Sequence, residues 1–144
     1  LYRRAQQLDQ WPGEDPQMLG SSIIAGAKAT IELGRIAEYR WAFGIDDLIM
    51  AVGYAGPAVV GTLWYENMFV PDSKGMISVG GRVAGGHAYL VKGVSVKKET
   101  FRIHNSWGTS WGKGGDAYIS FDDMDRLLRE QGEACIPVKR VRSY

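Results

Sequence analysis

The chain has 144 residues, with 17 Lys and Arg against 16 Asp and Glu, so its formal net charge at pH 7 is +1. This near balance gives no long-range field toward nucleic acid or anionic lipid, so we predict neither as a partner and expect a peptide or small molecule. No apolar run approaches the roughly 20 residues that cross a bilayer, so we predict no membrane span. The 45% hydrophobic content suffices for one buried core, so we predict a single domain.

Residues 1–55 are predicted to be rich in helix. Apolar residues near helical spacing predict a helix over residues 1–10 and a loop at 11–13, where Trp, Pro and Gly follow one another. A serine cap at 21 or 22 and a glycine at 34 bound a second helix that ends at Leu33. A third amphipathic segment runs from about Asp46 to Tyr54.

Residues 56–144 are predicted to be mainly β. An apolar run at 58–63 reads as a strand, and short extended pieces separated by glycine turns follow it at residues 76–79, 87–94, 100–104 and 116–120. Ser120 and Asp123 form a capping pair for a last helix that ends near Glu130. Helices first and strands second predict an α+β fold.

Three short motifs in the second part carry potential chemistry. They are Gly-Gly-His-Ala at 85–88, Asn-Ser-Trp-Gly at 105–108 and Trp-Gly at 111–112. A lone Gly-His-Ala is a weak signal, whereas Asn-Ser-Trp-Gly-x-x-Trp-Gly is specific. In sequence and in order, these motifs resemble those around the catalytic histidine and asparagine of papain-like cysteine peptidases.

The resemblance extends beyond these motifs. It covers residues from Gly20 to about Val138, weakly before Gly56 and strongly after Gly85. Further segments similar to the family lie at 56–60, 68–69, 114–119 and 133–136. The overall character looks most like small members from bacteriophages and actinobacteria. The resemblance implies a partial papain-like domain over residues 1–144, with a helix-rich amino part and a β-barrel-like carboxy part.

The resemblance also implies roles for four side chains. A thiol with an unperturbed pKa near 8.5 is mostly protonated at neutral pH, so a catalytic cysteine needs a base beside it. By resemblance, His87 is that base and Asn105 orients it without adding charge. Trp107 would shield their hydrogen bond from water, and Trp111 would pack behind Trp107. The resemblance implies no cofactor and no metal.

The nucleophile has no counterpart in the sequence. The family places a cysteine, preceded by a glutamine, on a helix well before the histidine, and the 86 residues before His87 contain neither in that arrangement. The chain also begins at Leu1 rather than at methionine. We therefore expect the nucleophile upstream of residue 1, in a longer chain that is processed or truncated, and expect this chain alone to be inactive. An upstream segment or another chain would then pack near His87.

Several alternatives compete with this interpretation. Cys135 could be a rearranged nucleophile, although a free cysteine is usually a small buried hydrophobe. Ser22, at a helix amino terminus, could bind an oxyanion, but capping explains it as well. His87 and His104 could bind a metal, although no thiolate or carboxylate cluster accompanies them.

Two functions are consistent with these residues. One is a thiol-dependent hydrolase of peptide or peptidoglycan cross-link amides. The other is a papain-like scaffold that has lost its nucleophile and serves as a structural or binding component, for example of a phage particle or a secreted assembly. A single cysteine is compatible with the cytosol, a virion or secretion, so the compartment stays open.

Overall fold

A computed structural model of the chain describes residues 1–9 and 20–139, and the loop predicted at residues 11–13 lies outside them. The described residues form two compact units. The first combines the part of the chain up to Arg40 with the end of the chain from Pro137, and the second is Trp41–Ile136. No helix among the described residues is long and apolar enough to cross a membrane.

The first unit contains the two predicted helices, α1 (Tyr2–Leu8) and α2 (Ile23–Glu32). The Ser22 side chain caps α2 by accepting a hydrogen bond from the Ala25 amide at 3.2 Å, as the sequence predicts. Strand β1 (Ile36–Ala42) follows, and the sequence analysis missed it inside the helix-rich part. Its residues are mostly exposed or half-buried, so neither face shows the clear apolar alternation by which a strand is recognised.

The second unit contains most of the sheet. After β1, the helices and strands in chain order are α3 (Ile45–Met50), a π-helical turn (Ala51–Ala55), β2 (Ala58–Tyr65), a 3-10 turn (Glu66–Met68), β3 (Val83–Ser95), a 3-10 turn (Val96–Lys98), β4 (Thr100–His104), β5 (Asp116–Ser120), α4 (Phe121–Arg129) and β6 (Glu133–Lys139), whose last three residues belong to the first unit. The strand order is β6-β2-β3-β4-β5, each neighbouring pair is antiparallel, and β1 lies next to β6.

The α+β class predicted from the sequence is confirmed, and β4 and β5 have the predicted bounds. The strand predicted at residues 76–79 is wrong, because only Met76 forms an isolated bridge, with Tyr118. Strand β3 begins at Val83, four residues earlier than predicted. The sheet is open rather than closed into a barrel.

One face of the sheet carries the core of the second unit. Alternate residues of β2 are buried on this face, including Val60, Thr62 and Trp64. Met124 and Leu127 of α4 belong to the same hydrophobic cluster and are fully buried. Because Thr62 lies directly opposite His87 in the β2–β3 ladder, the core face also receives the His87 side chain.

A buried carboxylate joins three strands on the other face. Asp116 of β5 is 4% exposed, and its oxygens lie 2.8 Å from Lys92 Nζ, 2.7 Å from His104 Nδ1 and 2.8 Å from Arg102 Nε. Burial opposes ionisation of Asp116, but these hydrogen bonds outweigh it and lower its pKa to about 2. The Asp116 carboxylate therefore ties β5 to β3 and β4.

This cluster predicts an acid-dependent loss of stability. A carboxyl with a depressed pKa in the folded state stabilises the fold above its unfolded pKa, near 4, and this stabilisation is lost as pH falls toward 2. We expect Asp116→Asn to lower the free energy of unfolding at pH 7 by about 2 kcal/mol or more, because Lys92 and Arg102 lose their counter-ion. The difference from the wild type should shrink between pH 4 and pH 2, as measured by urea unfolding.

Asp125→Asn is the matched control, because the ion pair of Asp125 is an i,i+4 pair with Arg129, whose side chain is largely exposed. We expect it to change the free energy of unfolding by less than about 0.5 kcal/mol. An Asp116→Asn effect that is equally small, or that does not change with pH, would contradict the assignment.

Candidate active site

The backbone brings the histidine and the asparagine motifs together. His87 lies on β3, half-buried on the core face. On the neighbouring strand, His104 pairs with Leu90, and Asn105 follows as the first residue beyond β4. The backbone N–H of Asn105 donates a 2.9 Å hydrogen bond to the Gly115 carbonyl. This bond holds the end of β4 against the glycine turn before β5. Since side chains alternate along a strand, Asn105 points to the same face as His87.

A direct hydrogen bond joins the two side chains. The distance from His87 Nε2 to Asn105 Oδ1 is 2.8 Å, which confirms the contact predicted from the motifs. Asn105 Oδ1 also accepts the backbone N–H of Ser106 at 2.9 Å. Because a backbone N–H can only donate, the Asn105 atom that faces it is the oxygen and not the nitrogen of the amide.

This assignment determines the tautomer of the imidazole. An amide oxygen only accepts hydrogen bonds, so His87 Nε2 carries the proton in its contact with Asn105. In the neutral ring the lone pair then lies on Nδ1. The atom available to take a proton is therefore Nδ1, and the Asn105 side chain is the group that selects it.

The two predicted tryptophans lie in an aromatic cluster with His87. The ring of Trp107 is 4.8 Å from the His87 ring, between centroids, and is stacked on Phe69 at 5.5 Å. Trp111 contacts Trp107 edge-on at 5.6 Å, and its Nε1–H donates a 2.8 Å hydrogen bond to the Phe69 carbonyl. Trp107 is thus beside His87 and Trp111 supports Trp107, in the arrangement that the resemblance implies.

A third tryptophan contacts His87 and was not predicted from the sequence. Trp64 of β2 is 2% exposed, and its ring centroid lies 4.8 Å from that of His87 at an interplanar angle of 72°. The predicted strand ends at residue 63, and the pairing that puts Thr62 opposite His87, and Trp64 on the same face, is seen only in the structure. Tyr89, two residues after His87, is the other ring against the imidazole, at 6.0 Å.

The backbone explains the glycines of the Asn-Ser-Trp-Gly and Trp-Gly motifs. Gly108 and Gly112 adopt left-handed conformations with φ of 83° and 56°. A Cβ at Gly112 would lie 2.1 Å from the Asp116 carbonyl oxygen, which is far inside contact distance. Only glycine fits there, so the Trp111-Gly112 pair reflects the close approach of the loop to β5.

Cys135, the alternative nucleophile, is not at this site. Cys135 lies opposite Val59, which is three residues from Thr62 and therefore on the other face of the sheet from His87. Burial and the neighbouring Glu133 raise the pKa of the Cys135 thiol to about 11. The Ser22 hydroxyl is engaged, because it donates a 2.8 Å hydrogen bond to Asp9 as well as capping α2.

The two histidines do not share a site either. His104 pairs with Leu90, which is three residues from His87, so the two imidazoles point to opposite faces of the sheet. His104 is bound to Asp116 instead. Across residues 1–9 and 20–139, no group of three or more His, Cys, Asp or Glu side chains is arranged to hold a metal ion.

The steric role of Gly112 gives a second prediction. We expect Gly112→Ala to destabilise the fold by at least about 2 kcal/mol more than Gly114→Ala does, as measured by urea unfolding. Gly114 is the matched control because it has a similar φ of 67° but no atom within 4 Å of an added Cβ. Equal effects of the two substitutions would mean that the close approach to Asp116 is not a constraint.

No family model and no curated protein matches the chain, but several solved structures resemble it. Xylellain, a cysteine protease from Xylella fastidiosa, is 28% identical over 74% of this chain, with a TM-score of 0.59. Procathepsin B S9 from Trypanosoma congolense is 20% identical over 74%, with a TM-score of 0.57, and bromelain from Ananas comosus is 18% identical over 73%, with a TM-score of 0.54.

This chain spans only part of those proteins, namely 41% of the xylellain chain, 37% of the procathepsin chain and 51% of the bromelain chain. The likeness to procathepsin B and bromelain concerns the fold, whereas xylellain also shares more than a quarter of the aligned residues. The chain therefore has a papain-like fold.

Proposed function

We propose that this chain supplies the general base, His87, and its orienting amide, Asn105, to a cysteine thiol that hydrolyses amide bonds in peptides or peptidoglycan cross-links. The observation that carries the proposal is the 2.8 Å hydrogen bond from His87 Nε2 to Asn105 Oδ1. It leaves Nδ1 as the proton acceptor, and Trp107 and Trp64 cover the ring from two sides.

The chemistry follows from this tautomer. Nδ1 takes the thiol proton, and the resulting imidazolium keeps its Nε2–H on Asn105. The thiolate attacks the substrate carbonyl, the C–N bond breaks, and the Nδ1 proton goes to the leaving amine. Water then attacks the thioester and gives a proton to Nδ1, the C–S bond breaks to release the acid, and the Nδ1 proton returns to the sulfur to restore the thiol. Asn105 is neutral throughout, so it keeps the ring oriented in both charge states.

The thiol would come from outside the described residues, and we propose a cysteine upstream of residue 1. Among the described residues, Cys135 is the free thiol, and it lies on the other face of the sheet. Two features support a further segment against the His87 site. Trp107 and Phe69 expose 37% and 43% of their surface beside it. Asn105 Nδ2 is buried and has no acceptor among the described residues.

Alkylation of the longer protein tests this proposal. We expect the upstream cysteine to react with iodoacetamide at pH 5 at least about 100 times faster than Cys135, because a thiolate–imidazolium pair persists where an ordinary thiol is protonated. His87→Ala should remove most of this advantage. The 144-residue chain alone should release no product from a peptide amide or a peptidoglycan cross-link, whereas the longer protein should hydrolyse at least one of them.

His104→Ala is the matched control, because His104 is the other histidine of the chain and is held by Asp116 on the opposite face. It should leave the alkylation rate at pH 5 unchanged. Equal rates for the two cysteines, unaffected by His87→Ala, would refute the catalytic proposal and favour a non-catalytic papain-like scaffold, such as a component of a phage particle.

A further inference from the structure

We propose that Trp64 is a positioning residue for His87, which holds the imidazole in the plane where its Nε2–H reaches Asn105. The inference rests on the proposed role of His87 as a base. It concerns a side chain that neither motif contains, since Trp64 lies on β2 and the motifs lie on β3 and beyond β4.

The β2–β3 ladder brings the indole to the histidine. Trp64 lies opposite Gly85, and Thr62 lies opposite His87, so Trp64 and His87 are diagonal neighbours on one face. Diagonal pairs are within reach of aromatic side chains. A Cβ at Gly85 would meet no atom within 4 Å, so the indole does not lie over its direct partner. It is turned toward the imidazole, which it meets nearly edge to face at 4.8 Å.

Trp64 is itself fixed by its surroundings. It is 2% exposed, and its ring contacts Trp107 at 5.3 Å and Tyr89 at 5.5 Å. The Tyr89 hydroxyl is in turn 3.2 Å from the Thr62 hydroxyl. Trp107, the other tryptophan against His87, is 37% exposed. Of the two tryptophans that contact the imidazole, Trp64 is therefore buried and Trp107 is partly exposed to solvent.

Hydrogen bonding does not explain the presence of an indole at this position. Trp64 Nε1 is buried and has no partner among the described residues, which is an unfavourable arrangement for a donor. The ring contacts remain as the reason for the residue. An aromatic side chain without an N–H donor should therefore retain part of the effect of Trp64 on His87, whereas an aliphatic side chain should not.

Imidazole NMR tests the inference on the 144-residue chain without any nucleophile. With ¹⁵N-labelled histidine, we expect neutral His87 of the wild type to be in a single Nε2–H tautomer with a slowly exchanging proton. Trp64→Leu should populate the Nδ1–H form and speed Nε2–H exchange about tenfold or more. Trp64→Phe should give a smaller acceleration, about threefold, and decides the matter if Trp64→Leu does not fold.

Phe101→Leu is the control for a merely structural role. Phe101 is fully buried and packs on the Phe121 ring at 4.8 Å, with no ring contact to His87. It should lower the melting temperature while leaving the tautomer and the exchange rate as in the wild type. Comparable changes of the His87 signals in Trp64→Leu and Phe101→Leu, or unchanged signals in both Trp64 variants, would overturn the positioning role.

The result is separable from the proposed function. If the longer protein shows no fast-reacting cysteine but Trp64 variants still disturb the His87 tautomer, the catalytic proposal fails and the positioning role stands. If the alkylation rates are as proposed and the His87 tautomer is unchanged in the Trp64 variants, only the positioning role fails.

Discussion

The hydrogen bond from His87 Nε2 to Asn105 Oδ1 is the interaction on which the proposed chemistry depends, because it decides which imidazole nitrogen holds the proton. The bond exists only if β3 and β4 keep their register and if the chain just beyond β4 is held in place. The Ser106 N–H on Asn105 Oδ1 and the Asn105 N–H on the Gly115 carbonyl supply that support. The backbone around Asn105 thus fixes both the position and the orientation of its amide.

Adjacent residues at the end of β4 serve opposite faces of the sheet. His104 points to the face where Asp116 gathers Lys92 and Arg102, and Asn105 points to the face of His87 and the tryptophans. The alternation of side chains along a strand makes this separation unavoidable. Its consequence is that the ion pairs that join β3, β4 and β5 are kept apart from a site whose orienting group is neutral. Stability and site geometry therefore depend on different side chains of the same strands.

The ends of β4 and β5 that could be predicted are those with local signals. The glycine-rich segment after β4 separates the two strands, and the Ser120 cap of α4 ends β5. Strand β1 was missed because its mostly exposed residues give no apolar face. The strand predicted at residues 76–79 failed for the opposite reason. Its apolar residues are present, but their pairing amounts to one isolated bridge, between Met76 and Tyr118.

The sequence by itself pointed to His87 and Asn105 as a pair, since the motifs around them resemble those of papain-like cysteine peptidases. It also indicated turns at glycines, whereas the structure shows why Gly112 must be one. Only the tertiary structure decided that Trp64 lies against His87 and that Cys135 and His104 do not. These relations depend on strand register and on which face each side chain takes, and register is set by pairing between segments distant in the chain. The sequence of one segment alone does not specify which other segment it pairs with, or in which register.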